Sequence, residues 1–363
     1  MTVIASNFYK TFSSEIFEKS QCMQHEQNFA NFFSSILSML GYVTYDSTRR
    51  IWQRGSKQVI VCFVDDFETS NYNFFKEQSK QMYNKITVIT DNHVIDLPQH
   101  QVIQLPDSYF GIYAYTPQIQ QFTPIRRFNF SINRIDTQRE LILLELINQN
   151  GNITNLLNTD WINFNCYYES ELTKSLNNIS NNYQKKFLEC WDNISDAHGL
   201  IYSKYIDKLL IELPINNYKV SFDQAHTLSY INLIVETYAG DTTITLSEKT
   251  FRALVTPAPW TLYAAQYSVQ YLISLGFDVL NDIIDHNYNN VSQNNSANGI
   301  EKIKLYIDAS LKLYVNLKRL DQNYLQTRCQ AAAKHNQQLL FQMRENWPQD
   351  LANWLPRVIA QLE

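Results

Sequence analysis

The residue types best suited to chemistry lie together between positions 231 and 252. An apolar run over 231–235 predicts a buried strand, and a polar loop separates this strand from Ser247, a favourable N-cap residue for a helix. A helix that begins there offers free N–H groups and the positive end of its dipole to an anion, and basic residues near its start add charge. We therefore predict a phosphate site, with nearby carboxylates available to ribose hydroxyls. Its candidate residues are Glu236, Ser247, Glu248, Lys249, Thr250 and Arg252.

These residues also have a purely structural interpretation. Glu248 and Lys249 are residue types that commonly occupy the first turn of a solvent-exposed helix. Glu236 could be a structural acceptor at the end of its strand. The sequence pattern by itself leaves both interpretations open.

A second group of candidates follows another predicted buried strand, 58–64. Asp65, Asp66 and Glu68 come just after this strand, at the edge where a parallel sheet usually places its active site. A carboxylate in that position could act as a general base toward a hydroxyl group. A turn or a helix cap built from the same three residues is an equally good explanation.

Strands and helices alternate along the chain in two series, which favours mostly parallel sheets with right-handed crossovers. The first series has predicted strands at 2–8, 42–45, 58–64, 85–90 and 101–105, and a helix that stops at Gly41. The second has strands at 127–132, 231–235, 260–263 and 277–280, and helices at 138–149, 249–255 and 268–275. We expect an α/β fold with two Rossmann-like domains facing a cleft.

The expected domain boundaries follow from these two series. Residues 1–115 form the N-terminal domain, 116–126 a proline-containing linker, and 127–300 the C-terminal domain. Residues 301–363 are expected to be helical and to pack across the two domains. The asparagine-rich stretch 287–298 has little apolar surface to bury and is expected to be a mobile loop.

Composition excludes several classes of protein. Hydrophobic residues make up 45% of the 363 residues and the formal net charge is −5, which argues against global disorder and against strong unaided binding to a phosphate backbone. The five cysteines contain no CxxC pair, and no nicotinamide, P-loop or serine hydrolase motif occurs. No apolar run is long enough to span a membrane and no signal peptide is seen, so we expect a cytoplasmic protein.

The stretch 231–288 resembles a known family. Glu236, a loop, Ser-Glu-Lys-Thr-Phe-Arg-Ala-Leu at 247–254 and Pro-Ala-Pro-Trp at 257–260 are similar to the nucleotide-sugar signature of α1,3-fucosyltransferases and related glycosyltransferases with the GT-B fold. With 268–278 included, the stretch resembles still more closely a group of uncharacterised glycosyltransferase-like proteins of phages and large viruses. The resemblance is weaker around 126–150 and only architectural in the first 115 residues.

The resemblance implies transfer of a sugar from a nucleotide-diphosphate donor to a hydroxyl acceptor, with inversion and without a metal. In the fucosyltransferases the Glu-Lys pair contacts the donor ribose and the diphosphate, and by resemblance those roles fall to Glu248 and Lys249. A family arginine on the first helix of the C-terminal domain also binds the diphosphate. Arg139 fits it best, with Arg134 as the alternative, although Arg139 could instead pair with a neighbouring acidic residue on a helix surface.

The remaining expectations concern the base, the cofactors and the partners. Asp65, Asp66 or Glu68 would accept the proton of the acceptor hydroxyl. No cofactor or metal is expected beyond the nucleotide sugar, and the acceptor, a glycan or, as the alternative, a modified DNA base, stays open. A viral protein of this kind would act in the cytoplasm of its host.

Two alternative functions are compatible with the same sequence. A phage-type DNA glycosyltransferase would act on a hydroxymethylated base, and it should carry a basic stripe and bind with a steep dependence on salt. A catalytically inactive relative kept as a binding or scaffold protein would bind nucleotides without turnover.

Overall fold

The computed structural model describes residues 33–46, 51–62, 86–90, 93–94, 102–117, 121–132, 137–150, 160–164, 222–236, 243–292 and 296–363. They form a mixed α/β structure with parallel and antiparallel strands and several helices. The chain divides into two compact units. Unit 1 comprises Met1–Ala114, Thr242–Thr245 and Gln338–Glu363, and unit 2 comprises Tyr115–Asp241 and Leu246–Gln337.

The secondary structure elements are numbered along the described part of the chain. The strands are β1 (Val43–Asp46), β2 (Ile51–Arg54), β3 (Lys57–Cys62), β4 (Ile86–Thr90), β5 (His93–Val94), β6 (Val102–Gln104), β7 (Arg126–Ile132), β8 (Trp161–Phe164), β9 (Ser229–Val235), β10 (Thr243–Ile244) and β11 (Trp260–Tyr263). The helices are α1 (33–39), α2 (Thr137–Asn150), α3 (Phe222–Thr227), α4 (Glu248–Val255), α5 (Ser268–Ser274), α6 (Ser296–Leu317) and α7 (Gln322–Leu362). Within these elements, no helix has both the length and the apolar character needed to cross a membrane.

The sheet of unit 1 is only partly parallel. Its strand order is β1-β2-β3-β4-β6; the first two pairings are antiparallel and the last two are parallel. Among the described strands of unit 1, the expectation of a mostly parallel sheet is therefore wrong; the predicted strand at 2–8 lies outside the described residues. The reason is the tight turn at Gly55 and Ser56, which joins β2 to β3 as a hairpin and places Gly55 at a left-handed φ of +60°.

The C-terminal part of α7 completes the core of unit 1. The ring of Trp354 lies 5.8 Å from that of Phe33, and its Nε1 donates a hydrogen bond of 2.8 Å to the carbonyl of Gln104. Gly111 packs so closely against the α7 backbone at Arg344 that a Cβ atom there would overlap with it. Near the end of the helix, the Tyr42 hydroxyl donates to the carbonyl of Leu362 at 2.9 Å. Residues more than 300 positions apart thus share one core.

Unit 2 contains a four-stranded sheet in the order β11-β9-β7-β8, and every pairing in it is parallel. After β7 the chain passes through α2 to β8, which lies on one side of β7 in the sheet. Strands β9 and β11 lie on the other side of β7. The strand order therefore reverses between β7 and β9. In open α/β sheets, ligands bind beyond the carboxyl ends of the strands at such a reversal.

Helices α2 and α6 cover one face of this sheet. Phe128 and Phe130 of β7 are fully buried, as are Ile142 and Leu146 of α2 and Tyr306 of α6. The Tyr306 hydroxyl reaches the carbonyls of Ile234 and Thr261 on two neighbouring strands. Residues 121–125, expected to belong to a linker, form backbone hydrogen bonds with the residues just before β9. The N–H of Ile125, for example, donates to the carbonyl of Leu228 at 2.8 Å.

The predicted strand at 277–280 is not formed. The N–H of Asp278 donates to Asn336 Oδ1 at 2.7 Å, and Asn336 Nδ2 donates to the carbonyls of Asp278 and Leu254, both at 2.9 Å. A buried side chain of α7 thus satisfies the backbone groups that a neighbouring strand would otherwise bind. Phe277, Val279 and Leu280 are buried, but the segment pairs with a helix residue.

The expectation of a mobile loop over 287–298 is also wrong for its described residues. Asn287–Asn290 form a short 3-10 helix in which Tyr288 and Asn289 are buried, and α6 begins at Ser296. Asn289 accepts a hydrogen bond from the N–H of Val269 and donates one to the carbonyl of Ala265. These contacts fix a segment whose composition is otherwise typical of a loop.

His286 is buried behind β11. Its Nε2 lies 2.9 Å from the carbonyl of Val279, and its Nδ1 lies 3.1 Å from the Tyr288 hydroxyl. The Tyr288 hydroxyl accepts a hydrogen bond from the N–H of Leu262, so its own proton is assigned to His286 Nδ1. The ring proton of His286 is then on Nε2 and is donated to the carbonyl of Val279. Burial lowers the pKa of His286, which keeps the ring neutral.

Replacement of Asn336 tests its role as a substitute for a strand. We expect Asn336→Ala to lower the free energy of unfolding by about 3 kcal/mol, because three hydrogen bonds to backbone groups are lost. Urea denaturation measures the change. Gln338→Ala, at an exposed position of the same helix, is the control and should shift stability by less than about 0.5 kcal/mol. Equal stability of Asn336→Ala and the wild type would contradict this account.

The lowered pKa of His286 predicts a pH dependence of stability. The unfolded chain binds a proton near pH 6.5, whereas the folded chain binds it only at lower pH, so the free energy of unfolding should fall as the pH drops from about 7 to 5. The slope contributed by one histidine is at most about 1.4 kcal/mol per pH unit. His286→Gln should reduce this slope in urea denaturation curves. Parallel slopes for the two proteins would show that His286 does not carry the effect.

Candidate functional site

Glu236 lies directly after β9 and is buried. Its Oε1 accepts a hydrogen bond from the N–H of Ser247 at 2.9 Å and another from the Thr250 hydroxyl. Its Oε2 accepts a bond from the Ser247 hydroxyl at 2.5 Å. One carboxylate thus joins the carboxyl end of β9 to the start of α4. The structural role that the sequence left open for Glu236 is present.

Ser247 is the N-cap of α4, as the sequence predicts. Its hydroxyl oxygen accepts from the N–H of Lys249 while the hydroxyl proton is donated to Glu236. Because Thr250, Phe251 and Leu254 are buried, one face of α4 is fixed against the fold. The helix N-terminus therefore has a defined position at the carboxyl edge of the parallel sheet.

Lys249 lies next to the buried carboxylate. Its Nζ is 3.8 Å from Glu236 Oε2, and its side chain is 18% exposed. Solvent therefore reaches part of the Lys249 side chain. Glu248, the preceding residue, is partly buried at the same helix end. Both members of the Glu-Lys pair are placed where the sequence predicts them.

Arg139 reaches the same edge from α2. The residue is 1% exposed, and its Nη2 donates to the carbonyl of Val235, the last residue of β9, at 3.2 Å. Helix α2 follows β7, and Val235 ends β9. The Arg139 side chain therefore connects the two strands between which the strand order reverses. Arg139 does not lie on a helix surface, as one of the alternatives expected, because the residue is buried.

Not every candidate residue comes to this edge. Arg252 lies in the last turn of α4, and its guanidinium carbon is 5.4 Å from the centre of the Tyr115 ring. The remaining candidates, Asp65, Asp66, Glu68 and Arg134, lie outside the described residues.

One charged residue at this edge was not singled out from the sequence. Lys302 of α6 is buried, and its Nζ donates to the carbonyl of Ala264, just after β11, at 2.7 Å. Ala264 is close to Glu236, because the N–H of Glu236 bonds to the carbonyl of Tyr263 at 3.0 Å. The signal in the sequence is the position of Lys302 four residues before Tyr306, on the apolar face of its helix.

Of the residues described at this edge, three basic side chains outnumber the two carboxylates, Glu236 and Glu248. Two buried cations, Arg139 and Lys302, are bonded to carbonyls at the ends of neighbouring strands, and Lys249 adds a partly exposed ammonium group. The N–H of Ser247 is already bonded to Glu236, so Lys249 is the group best placed to meet an incoming phosphate. Among the residues that the structure describes, no cluster of three or more His, Cys, Asp or Glu side chains could hold a metal ion.

Comparisons with protein family models, with curated proteins and with solved structures find no match to this chain. A functional assignment therefore depends on the site itself.

Substitutions of Glu236 test the connection between β9 and α4. We expect Glu236→Ala to lower the free energy of unfolding by about 3 kcal/mol, because it removes the acceptor for one N–H and two hydroxyls. Glu236→Gln keeps an acceptor oxygen and should cost less. Urea denaturation of both variants measures the change in the free energy of unfolding. Glu248→Gln, at the first position of α4, is the control. Stability of Glu236→Ala equal to that of the wild type would refute the connection.

Proposed function

We propose that the chain is a glycosyltransferase that moves a sugar from a nucleotide-diphosphate donor to a hydroxyl acceptor. The observation that carries this proposal is the convergence of Glu236, Lys249 and Arg139 at the carboxyl end of β9, beside the reversal of strand order. Open parallel sheets bind nucleotides at this position. The convergence supports the resemblance of the same residues to the nucleotide-sugar signature.

The proposal includes a finer description of the fold. Unit 2, with its four parallel strands and its helices, would be the Rossmann-like nucleotide-sugar domain of a GT-B-like enzyme. Unit 1, which has three strands in parallel register, would be the acceptor domain. The antiparallel strands β1 and β2 would then be an addition to that domain at one edge of its sheet.

In the proposed reaction an oxygen of the acceptor attacks the anomeric carbon of the donor sugar. A carboxylate, Asp65, Asp66 or Glu68, takes the proton of that hydroxyl. The bond between the anomeric carbon and the diphosphate oxygen breaks, and the nucleoside diphosphate leaves with the electron pair. Attack from the face opposite the leaving group inverts the anomeric configuration.

Positive groups stabilise the charge that develops on the diphosphate. Lys249 would contact a phosphate oxygen directly, because its ammonium group is partly exposed. Arg139 would act from within the fold, since the bond to the carbonyl of Val235 fixes its guanidinium group at the site. Charges that are fixed before the reaction need no reorganisation when the leaving group departs. Glu248 would accept hydrogen bonds from the ribose hydroxyls.

Nucleotide binding is the first test. We expect one series among GDP, UDP, CMP, dTDP and their sugar conjugates to raise the melting temperature, since a ligand at 100 times its Kd stabilises the folded state by about 2.7 kcal/mol. Lys249→Ala should weaken that binding by roughly tenfold to a hundredfold, the loss of a charge-assisted hydrogen bond. Thermal shift and isothermal titration calorimetry measure both effects.

Lys312→Ala is the matched control, because it removes the same charge from an exposed position on α6. This variant should bind like the wild type. A folded wild-type protein that binds no nucleotide, or a Lys249→Ala variant with unchanged affinity, would contradict the proposal.

One observation favours a second candidate, a nucleotide-binding protein without turnover. The Glu236 carboxylate lies at the N-terminus of α4, where its negative charge opposes the further charge that develops on a departing diphosphate and so disfavours turnover. The two candidates differ in the fate of the donor. A transferase slowly hydrolyses its bound nucleotide sugar or transfers the sugar to an added acceptor, whereas a binding protein returns the donor intact, which chromatography of the reaction mixture distinguishes.

A further inference from the structure

Tyr267 has an unusual backbone conformation. Its φ of +66° and ψ of +12° lie in the left-handed region, which large side chains rarely occupy. The residue is the third of a β-turn over Ala265–Ser268, closed by a hydrogen bond of 3.3 Å from the N–H of Ser268 to the carbonyl of Ala265. These angles match the third position of a type II turn, which strongly favours glycine. A tyrosine here therefore costs conformational free energy.

The surrounding contacts hold Tyr267 in this conformation. Its N–H donates to the carbonyl of Asn289 at 3.2 Å, and Asn289 Nδ2 donates to the carbonyl of Ala265. On either side, Gln266 Nε2 donates to the carbonyl of Asn290 at 2.6 Å, and the N–H of Val269 donates to Asn289 Oδ1. The short 3-10 helix over 287–290 thus fixes the turn from outside.

Packing accounts for the other large residue with a positive φ, but not for this one. Leu280 has a φ of +60°, and its side chain is only 2% exposed within the core of unit 2. Burial of an apolar side chain offsets the conformational cost there. The Tyr267 side chain is 47% exposed, so it gains much less from burial. Strain that the fold maintains without a matching gain in packing is typical of ligand sites.

The turn lies at the edge of the sheet that carries the candidate site. It follows β11 directly, and β11 is the parallel neighbour of β9, which ends at Glu236. The N–H of Glu236 donates to the carbonyl of Tyr263 at 3.0 Å, and the turn begins two residues after Tyr263. Two carboxamide groups lie beside the turn: Gln270 Nε2 donates to Asn290 Oδ1 at 2.6 Å, and both residues are at least partly exposed.

We propose that Tyr267 forms the stacking surface for the nucleobase of the donor. This inference rests on the proposed function and adds a residue that determines how the donor binds. A partly exposed aromatic ring with a fixed backbone offers a flat apolar surface at little cost in side-chain entropy. Stacking accepts any base, and the carboxamides of Gln270 and Asn290 are suited to hydrogen bonds with a base edge.

The test compares Tyr267→Ala, Tyr267→Phe and Tyr267→Gly with the wild type in isothermal titration calorimetry, using GDP, UDP, their sugar conjugates and inorganic pyrophosphate. We expect Tyr267→Ala and Tyr267→Gly to weaken binding of the nucleoside diphosphate by about tenfold or more and to leave pyrophosphate binding unchanged. Tyr267→Phe keeps the ring and should bind normally. Tyr267→Gly should also keep the melting temperature of the wild type, because relief of strain offsets the lost contacts.

Ile273→Ala, at an exposed position on α5, is the control and should change neither affinity. Equal nucleoside diphosphate affinities of Tyr267→Ala and the wild type would overturn the inference. So would a parallel loss of pyrophosphate binding, or a loss confined to the sugar conjugates, which would place the ring against the sugar. If Lys249→Ala loses nucleotide binding and Tyr267→Ala does not, only the nucleobase assignment fails; if the wild type binds no nucleotide, the proposed function fails as well.

Discussion

The buried carboxylate of Glu236 is the constraint on which the candidate site depends. A carboxylate inside a protein needs hydrogen-bond donors, and here one N–H and two hydroxyls from the first residues of α4 supply them. The end of β9 and the start of α4 are therefore fixed to each other. The position of Lys249 follows from this, because its Nζ lies beside the same carboxylate. The apolar face of α4, with Phe251 and Leu254 buried, then completes the attachment to the sheet.

The same edge shows how a parallel sheet accommodates buried cations. Backbone carbonyls at the ends of parallel strands have no further strand partner, and they become acceptors for long basic side chains. Arg139 uses the carbonyl of Val235 at the end of β9, and Lys302 uses that of Ala264 just after β11. Both cations are thus positioned by the backbone, independently of any ligand. Such preorganised charge is what a site for a diphosphate leaving group requires.

The sequence predicts the centre of unit 2 well and its surroundings less well. Strands β9 and β11 and helix α4 begin and end within two residues of their predicted limits, because buried parallel strands form continuous apolar runs and Ser247 marks a helix start. The segment 277–280 has the same apolar character, but its hydrogen-bond partner is Asn336, 58 positions away, which no local pattern reveals. The left-handed Tyr267 is equally hidden, because the third position of a type II turn is recognised by a glycine. In unit 1, by contrast, the Gly55-Ser56 turn was a local signal of the β2–β3 hairpin.

Unit 1 is discontinuous in the chain, and this affects the order in which the protein folds during synthesis. Its N-terminal portion ends at Ala114, yet the residues that complete its core, such as Trp354 and Leu362, come after the whole of unit 2 has been made. At ribosomal rates of roughly 5 to 20 residues per second, the C-terminal part of α7 is synthesised on the order of ten seconds or more after the strands of unit 1. Unit 2 can begin to fold in that interval. The apolar surface around Phe33 and Tyr109 is therefore exposed to chaperones in the nascent chain, since their ring partners Trp354 and Trp347 belong to α7.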